Sequence, residues 1–441
     1  MKIYASDDDA GRILHTYTFH GSNFILAEFG WTYLSRIALA KAEAQLSAES
    51  QGVRDEIGFL LIHQYYADRF FPGTSVLHTR LRYVLFVPWM YQTLWQGRAK
   101  AAPEQAVQNM EGDLCRRLLK FERHQLGIIG RLSEGKRMGQ PPSMVYWNAL
   151  VKWGLVRKEG SKVPSRHRMA RIAGNGQTRV PRDMELSEEP ELLPLDALLP
   201  APPDLSADSL SFALSSLEQA YLCEKLRDLP CGGLTEEISL LARLVRRTES
   251  SKKAPAYLQA ANCWDVPVLE LAEQERDCLV RAGNAAAMAA IGRGVYAALV
   301  ERLRQREGGS RIGDLHRQAL LEALDLYRER ALELDVIKLA DEARAVPDKT
   351  LRVLRATQQW LKRPGADFTE LQEVYAEAEW ARKHERARLA MTPNGRKRRL
   401  DWKSENVGLN GQERTQAEPL HYRWGVVQRL LGDLHGGAED A

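Results

Sequence analysis

The amino-acid sequence predicts a mainly α-helical protein, with an N-terminal mixed or helical domain, a candidate winged-helix module and a C-terminal helical domain. Three observations carry this. Beyond residue 208 the chain runs through long stretches of Leu, Ala, Glu and Arg, residues that lose little side-chain entropy in a helix. Near the other end, Ile57, Leu60, Leu61, Tyr65 and Phe70 recur at helical spacing. Between these regions, residues 183–208 hold eight acids, no Lys or Arg, and Pro190, Pro194, Pro200, Pro202 and Pro203. Prolines remove donors and disfavour helix, so this stretch reads as a linker or crossing segment. The chain has 441 residues, 44% of them hydrophobic, enough to fill more than one core. The expected divisions are 1–112, 113–182, 183–208 and 209–441.

The elements follow in order. A first helix over 57–70 breaks at Phe71-Pro72-Gly73-Thr74, where proline sets φ and glycine tolerates a positive one. Tyr83 to Trp95 is an apolar second element, kinked or ended by Pro88. DLCRRLLKFERHQLGIIGRL, residues 113–132, gives a helix with Leu118, Leu119, Phe121 and Leu126 on its apolar side. After a Gly/Lys/Pro-rich turn, Ser143 opens another helix that Gly154 stops. Leu155-Val156-Arg157 reads as a short strand and Lys158 to Lys162 as a hairpin tip. Helix, helix, strand, basic hairpin is the order of a winged-helix module, whose second helix enters the major groove while the wing touches phosphate. The side chains that would face DNA are Asn148, Lys152, Arg157, Lys158 and Lys162, extended by Arg166, Arg168 and Arg171.

In the C-terminal domain, residues 209–228, 234–248, 266–306 and 313–345 read as helices, and LQEVYAEAEWARKHERARLAM as a last long one ending before Pro393. Asn394-Gly395 then favours a turn. Arg396, Lys397, Arg398 and Arg399 follow, four consecutive cations that repel one another unless an anion lies near. Trp402 and Trp424 are candidates for stacking on exposed bases.

The net charge of +4 hides segregation: Lys152–Arg182 holds nine Lys/Arg and one acid, and Arg382–Lys403 nine against two. Blocks of this kind are candidate polyanion contacts or merely solvated faces. Gly73, Thr74, Ser75, Arg80 and Arg82 form a candidate anion site at a turn between apolar elements; its alternative is a sharp turn whose arginines hydrogen-bond carbonyls or pair with Asp55, Glu56 or Asp68. The spacing is not that of a P-loop. No metalloprotease, zinc, nucleophile-elbow or dinucleotide motif occurs, so no catalytic residue, metal or cofactor is predicted. His63 and His78 flank the turn and read as packing residues before an acid/base pair. Asp55, Glu56 and Asp68 are the carboxylates an alternative metal-dependent nuclease site would use. Five scattered cysteines and the absence of a signal-type or 18-residue apolar run point to a cytoplasmic protein with no membrane span.

The string FPGTSVLHTRLRYVLFVPWMY (71–91), preceded by Arg54-Asp55-Glu56 and by Phe29-Gly30-Trp31, together with PPSMVYWNALVKWGL (141–155) and PLHYRWGVVQRLLGDL (419–434), resembles the prokaryotic family catalogued as domain of unknown function 6361. The resemblance implies a gene neighbourhood for defence against phage and foreign DNA, with helicase-type ATPases and nucleases as neighbours. It brings no catalytic residues. The expected function is therefore a non-catalytic, nucleic-acid-binding adaptor of an antiviral defence complex, with DNA and a helicase-type ATPase or nuclease subunit as partners. A nuclease or nucleotide-processing enzyme sited at 55–82 and a pure protein scaffold are the alternatives.

Overall fold

The computed structural model describes residues 55–97, 101–121, 126–136, 138–158, 162–175, 192–207, 210–232, 237–249, 256–266, 271–308, 313–402, 415 and 417–436. All of them belong to one compact unit, residues 52–441. The protein is mainly helical; among the described residues β pairing is limited to two isolated bridges, Val156 with Leu195 and Pro230 with Ile238.

In α1 (Phe59–Phe70), Phe59, Ile62, His63, Tyr66, Ala67 and Phe70 are buried, the repeat of three and four that puts one face of a helix in the core. Its start is left-handed at Gly58, φ +108°, where Asp55 Oδ1 accepts from the Gly58 and Leu60 amides at 2.6 and 3.3 Å. Its end is the Pro72-Gly73 turn; Gly73 has φ +85°, and a side chain there would run into the Trp153 indole. Every residue from Tyr83 to Tyr91 of α2 (Tyr83–Gln96) is buried, so this helix is apolar all round and runs through Pro88 inside the core. Trp89 Nε1 donates to Pro200 O at 2.7 Å.

Around α2 pack α3 (Pro103–Phe121), α4 (Pro142–Lys152) and α5 (Arg166–Asn175). Residues 192–207 cross this group: Leu193, Leu195 and Leu199 are buried, and Asp196 receives Tyr221 Oη at 2.9 Å and Lys225 Nζ at 2.8 Å. A full capping box at Ser215 and Glu218 opens α6 (Ser216–Leu226), which packs on α7 (Leu240–Glu249).

The centre of the rest is α8 (Glu273–Gly308), lined with buried Ala and Gly that let neighbours approach closely. α9 (Leu315–Leu332) packs along it. The helix expected over 313–345 is two: Asp335 caps a new start, accepting from the Ile337 and Lys338 amides, and α10 (Val336–Glu342) follows. Next come α11 (Asp348–Leu361) and α12 (Gln372–Lys383), paired with each other. The long helix expected up to Pro393 ends early, because His384 takes φ +48°. Asn394-Gly395 forms no turn. Thr392 caps at Gly395 N, 3.1 Å, and Pro393 occupies the first helical position, so both residues sit inside α13 (Pro393–Leu400).

The chain then returns to its beginning. α14 (Trp424–Gly436) packs against α6 and α7. Tyr422 and Arg423, both at positive φ, turn the chain into it.

Candidate nucleic-acid interface

The candidate surface is built from α4 outward. Its N-terminus receives the buried carboxylate of Glu111, which accepts from Ser143 N at 2.8 Å. A negative group there suits the helix dipole. Burial nonetheless pushes the Glu111 carboxyl up from its ordinary value, against hydrogen bonds from Ser143 and the charge of Arg166. Val145, Tyr146, Ala149 and Leu150 face the core. The opposite stripe, at steps of four, is Met144, Asn148 and Lys152, all exposed.

After Gly154, Leu155 and Val156 are buried beside the crossing segment: Arg157 N donates to Pro194 O and Asp196 N to Leu155 O, each at 2.9 Å. The strand expected at 155–157 is thus a single antiparallel bridge to Leu195. Residues 159–161, the tip of the expected hairpin, lie outside the described residues. In α5, Met169, Ala170, Ile172 and Ala173 go to the core while Arg168, Arg171 and Asn175 share the solvent face. Arg166 is half-buried with Nη1 3.4 Å from Ser143 Oγ, and His167 pairs with Glu104 at 2.7 Å. Asn148, Lys152, Arg157, Lys158, Lys162, Arg168 and Arg171 are therefore all exposed. Lys152, Arg157, Lys158, Lys162 and Arg171 make no ion pair among the described residues. Trp153 is structural, donating from Nε1 to Pro72 O at 2.9 Å.

The turn over 72–82 is built differently. Thr74 is buried and donates from Oγ1 to Phe71 O at 2.6 Å. Arg80 Nε lies 2.9 and 3.0 Å from the two carboxylate oxygens of Asp433, whose Oδ2 also accepts Leu81 N at 2.7 Å. Arg82 is bound by Glu218 Oε1 at 2.7 Å and Ser211 O at 2.8 Å. The guanidiniums expected to hold an anion with Gly73, Thr74 and Ser75 hold carboxylates of the chain itself. Arg82 does hydrogen-bond a carbonyl, that of Ser211, but the carboxylate partners are Asp433 and Glu218 rather than the nearby acids. Those acids pair instead with the C-terminal part: Asp55 with Arg382, Glu56 with Arg388 at 3.2 Å, and Asp68 with Arg423 at 2.7 Å. Each carboxylate thus has its own arginine. Among the described residues no group of three or more His, Cys, Asp or Glu is placed to hold a metal ion.

On α13 the four cations part company. Arg396 and Lys397 are exposed and Arg398 is half-buried. Arg399 is buried, pairing with Glu307 and donating to the carbonyls of Arg388 and Ala390. It cannot reach a phosphate. Trp402 and Trp424, the expected stacking residues, are buried as well, Trp402 against His316 at 4.6 Å and Trp424 against Phe71 at 5.9 Å.

The histidines beside the turn are interior groups. His78 stacks on Tyr146 at 4.2 Å and donates from Nε2 to Val145 O at 3.2 Å; burial lowers it to about 3. His63 meets His421 edge-on at 4.9 Å, and neither of its ring nitrogens has a hydrogen-bond partner among the described residues. Burial, then the charges of His421, Arg423 and Arg293, hold it well below the usual imidazole value. The five cysteines are buried and no disulfide links them. No helix among the described residues is long and apolar enough to cross a membrane.

Sequence reasoning missed the ion pairs that join residues 55–82 to residues 382–433, since a partner some 350 positions away leaves no local signal. The three strings that carried the family resemblance do meet here. Tyr146 Oη accepts the Thr79 and Arg80 amides at 2.8 and 3.0 Å, Trp153 holds Pro72, and Asp433 holds Arg80.

No curated protein and no solved structure matches the chain. A family model does, over residues 40–274, which include the turn, α4 and the exposed cations after it. That match spans more than half of the sequence, and the chain belongs to the family of unknown function DUF6361.

Proposed function

We propose that this protein is a non-catalytic nucleic-acid-binding adaptor, and that α4, residues 155–162 and α5 serve as a winged-helix-like contact for phosphate. One observation carries the reading. Lys152, Arg157, Lys158, Lys162 and Arg171 stay exposed without an ion pair among the described residues, while the arginines of the 72–82 turn and Arg399 are each committed to a carboxylate. The first group is therefore open to an external anion, whereas the second serves the fold. Arg396 and Lys397 form a second, smaller exposed pair. The setting implied by the resemblance, an antiviral defence complex with a helicase-type ATPase or nuclease and a cytoplasmic location, belongs to the same proposal. A nuclease centre at Asp55, Glu56 and Asp68 is disfavoured because each of these groups is neutralised by a different arginine.

The test is fluorescence anisotropy with labelled duplexes of unrelated sequence across a salt series. The triple variant Arg157→Glu, Lys158→Glu, Arg171→Glu is expected to bind at least about tenfold more weakly to every duplex. Its log–log salt slope should be shallower by up to about 0.9 per lost phosphate contact. Unchanged affinity in the folded triple variant, or no binding by the parent protein at low salt, overturns the proposal.

A further inference from the structure

A cleft of about 310 Å³ opens between α9, the end of α11 and the short turn Phe368–Leu371. None of the cations discussed above lines it, and it has the size of a small-molecule site. Leu320, Leu324, Trp360 and Leu361 contribute its apolar lining, and Leu320, Trp360 and Leu361 are themselves buried. Trp360 needs nothing polar from a ligand, because its Nε1 already donates to Ala366 O at 2.9 Å. At the lip, Leu321 is 56% exposed, apolar surface whose removal from water is favourable.

The charged lining is three arginines and one acid. The acid, Asp367, is occupied elsewhere, accepting from Thr369 N at 3.0 Å and pairing with Arg302 at 3.4 Å. Arg317 and Arg363 pair with Asp314 and Glu370 at 2.9 and 2.6 Å, with both side chains of each pair well exposed. Such pairs hold weakly. Arg328 differs. It donates to the carbonyl of Leu361 in the last turn of α11 and makes no ion pair among the described residues. A guanidinium with donors to spare beside an apolar hollow suits a ligand that brings both an anion and a greasy body, and excluding water strengthens that charged hydrogen bond.

We infer that this cleft binds a small amphipathic anion, an aryl or acyl body bearing one carboxylate, sulfonate or phosphate, with the charge on Arg328 and the body against Trp360 and the leucines. The site stands apart from the nucleic-acid reading. It is tested on the full chain with two probes that share one body, 8-anilinonaphthalene-1-sulfonate and the uncharged N-phenyl-1-naphthylamine. The sulfonate should bind saturably at one equivalent. Leu321→Glu, at a position exposed enough to leave the fold intact, should abolish that binding. Arg328→Gln should weaken the sulfonate about tenfold, the loss of one charged hydrogen bond, and change the neutral probe by less than about twofold. Saturable binding that survives Leu321→Glu, or a sulfonate affinity untouched by Arg328→Gln, overturns the assignment. So does an equal loss for both probes in Arg328→Gln, which would make the arginine only a prop for Leu361.

Discussion

Asp433 receives Arg80 and the Leu81 amide from 352 residues earlier, and its side chain is only 8% exposed. Removing one partner of a pair this enclosed strands the other charge, which costs far more than a surface ion pair is worth. Asp433→Ala should therefore lose about 3 kcal/mol in urea unfolding; a change below about 1 kcal/mol would show that water replaces the carboxylate there. The buried histidines give a second prediction at this scale. His78 titrates at about 3 and His421 at about 4, both through burial, and His63 lies well below its ordinary value. In the unfolded chain each titrates near 6.5, so below that pH the unfolded state takes up protons that the folded state refuses. Stability is complete above about pH 6.5 and drains away as pH falls towards the folded values. The melting temperature should fall between about pH 7 and 5.5, before most carboxylates titrate. His63→Phe keeps the ring packing against His421 and Tyr422 and should flatten that fall; an unaltered slope would mean that His63 is hydrated in solution. These roles were only half legible. Helical spacing places His63 on the core side of α1, but nothing local places Arg293 and Arg423 around it.

Among elements, the clearest signals were stripes and caps. The face of α1 follows from spacing and is present, whereas α4 starts at Pro142, ahead of the expected Ser143, with proline at its first position and no side-chain cap. Expectations failed where a cap outweighed a propensity. Asn394-Gly395 looks like a turn, yet Thr392 and Pro393 before it start a helix strongly enough to absorb both residues. The break at Asp335 is the same effect in reverse, a side-chain cap starting a new helix inside an apolar repeat that runs straight on. At the start of α1 the backbone itself is specified. Gly58 is left-handed, and a Cβ there would collide with Thr350 Oγ1, which donates to Ile57 O at 2.7 Å. Gly58→Ala combines backbone strain with that collision and should cost about 2 kcal/mol or more by thermal or urea unfolding. Pairing it with Thr350→Ala should recover the steric part alone; full recovery would show that the left-handed backbone matters little.

For the whole molecule, the relevant fact is that the family match ends at residue 274 while the packing it needs does not. Trp424 stacks on Phe71, Tyr422 packs on Tyr66 and His63, Arg423 binds Asp68 and the carbonyl of Thr74, and Asp433 holds Arg80. These contacts close the 55–82 cluster from the far end of the chain, and Tyr422 adds a hydrogen bond to Ala282 O of α8 at 2.8 Å. The sequence showed each of these strings as dense and aromatic, but only the fold shows that they are one another's surroundings. A protein ending after Glu418 would retain the matched region, the exposed cations of α4 and α5 and the cleft beside α9. It would leave the aromatic cluster around Tyr66 and Phe71 open to water and the Asp68 and Arg80 charges without partners. Exposing several large aromatics at a few kcal/mol each, together with two stranded charges, costs about as much as the 5–15 kcal/mol by which a folded protein is ordinarily stable. That truncation should therefore abolish the cooperative melt seen by circular dichroism and bind a hydrophobic dye non-saturably. A shortened chain melting cooperatively within about 5 °C of the parent would mean that the residues before 419 form their core without the C-terminal return.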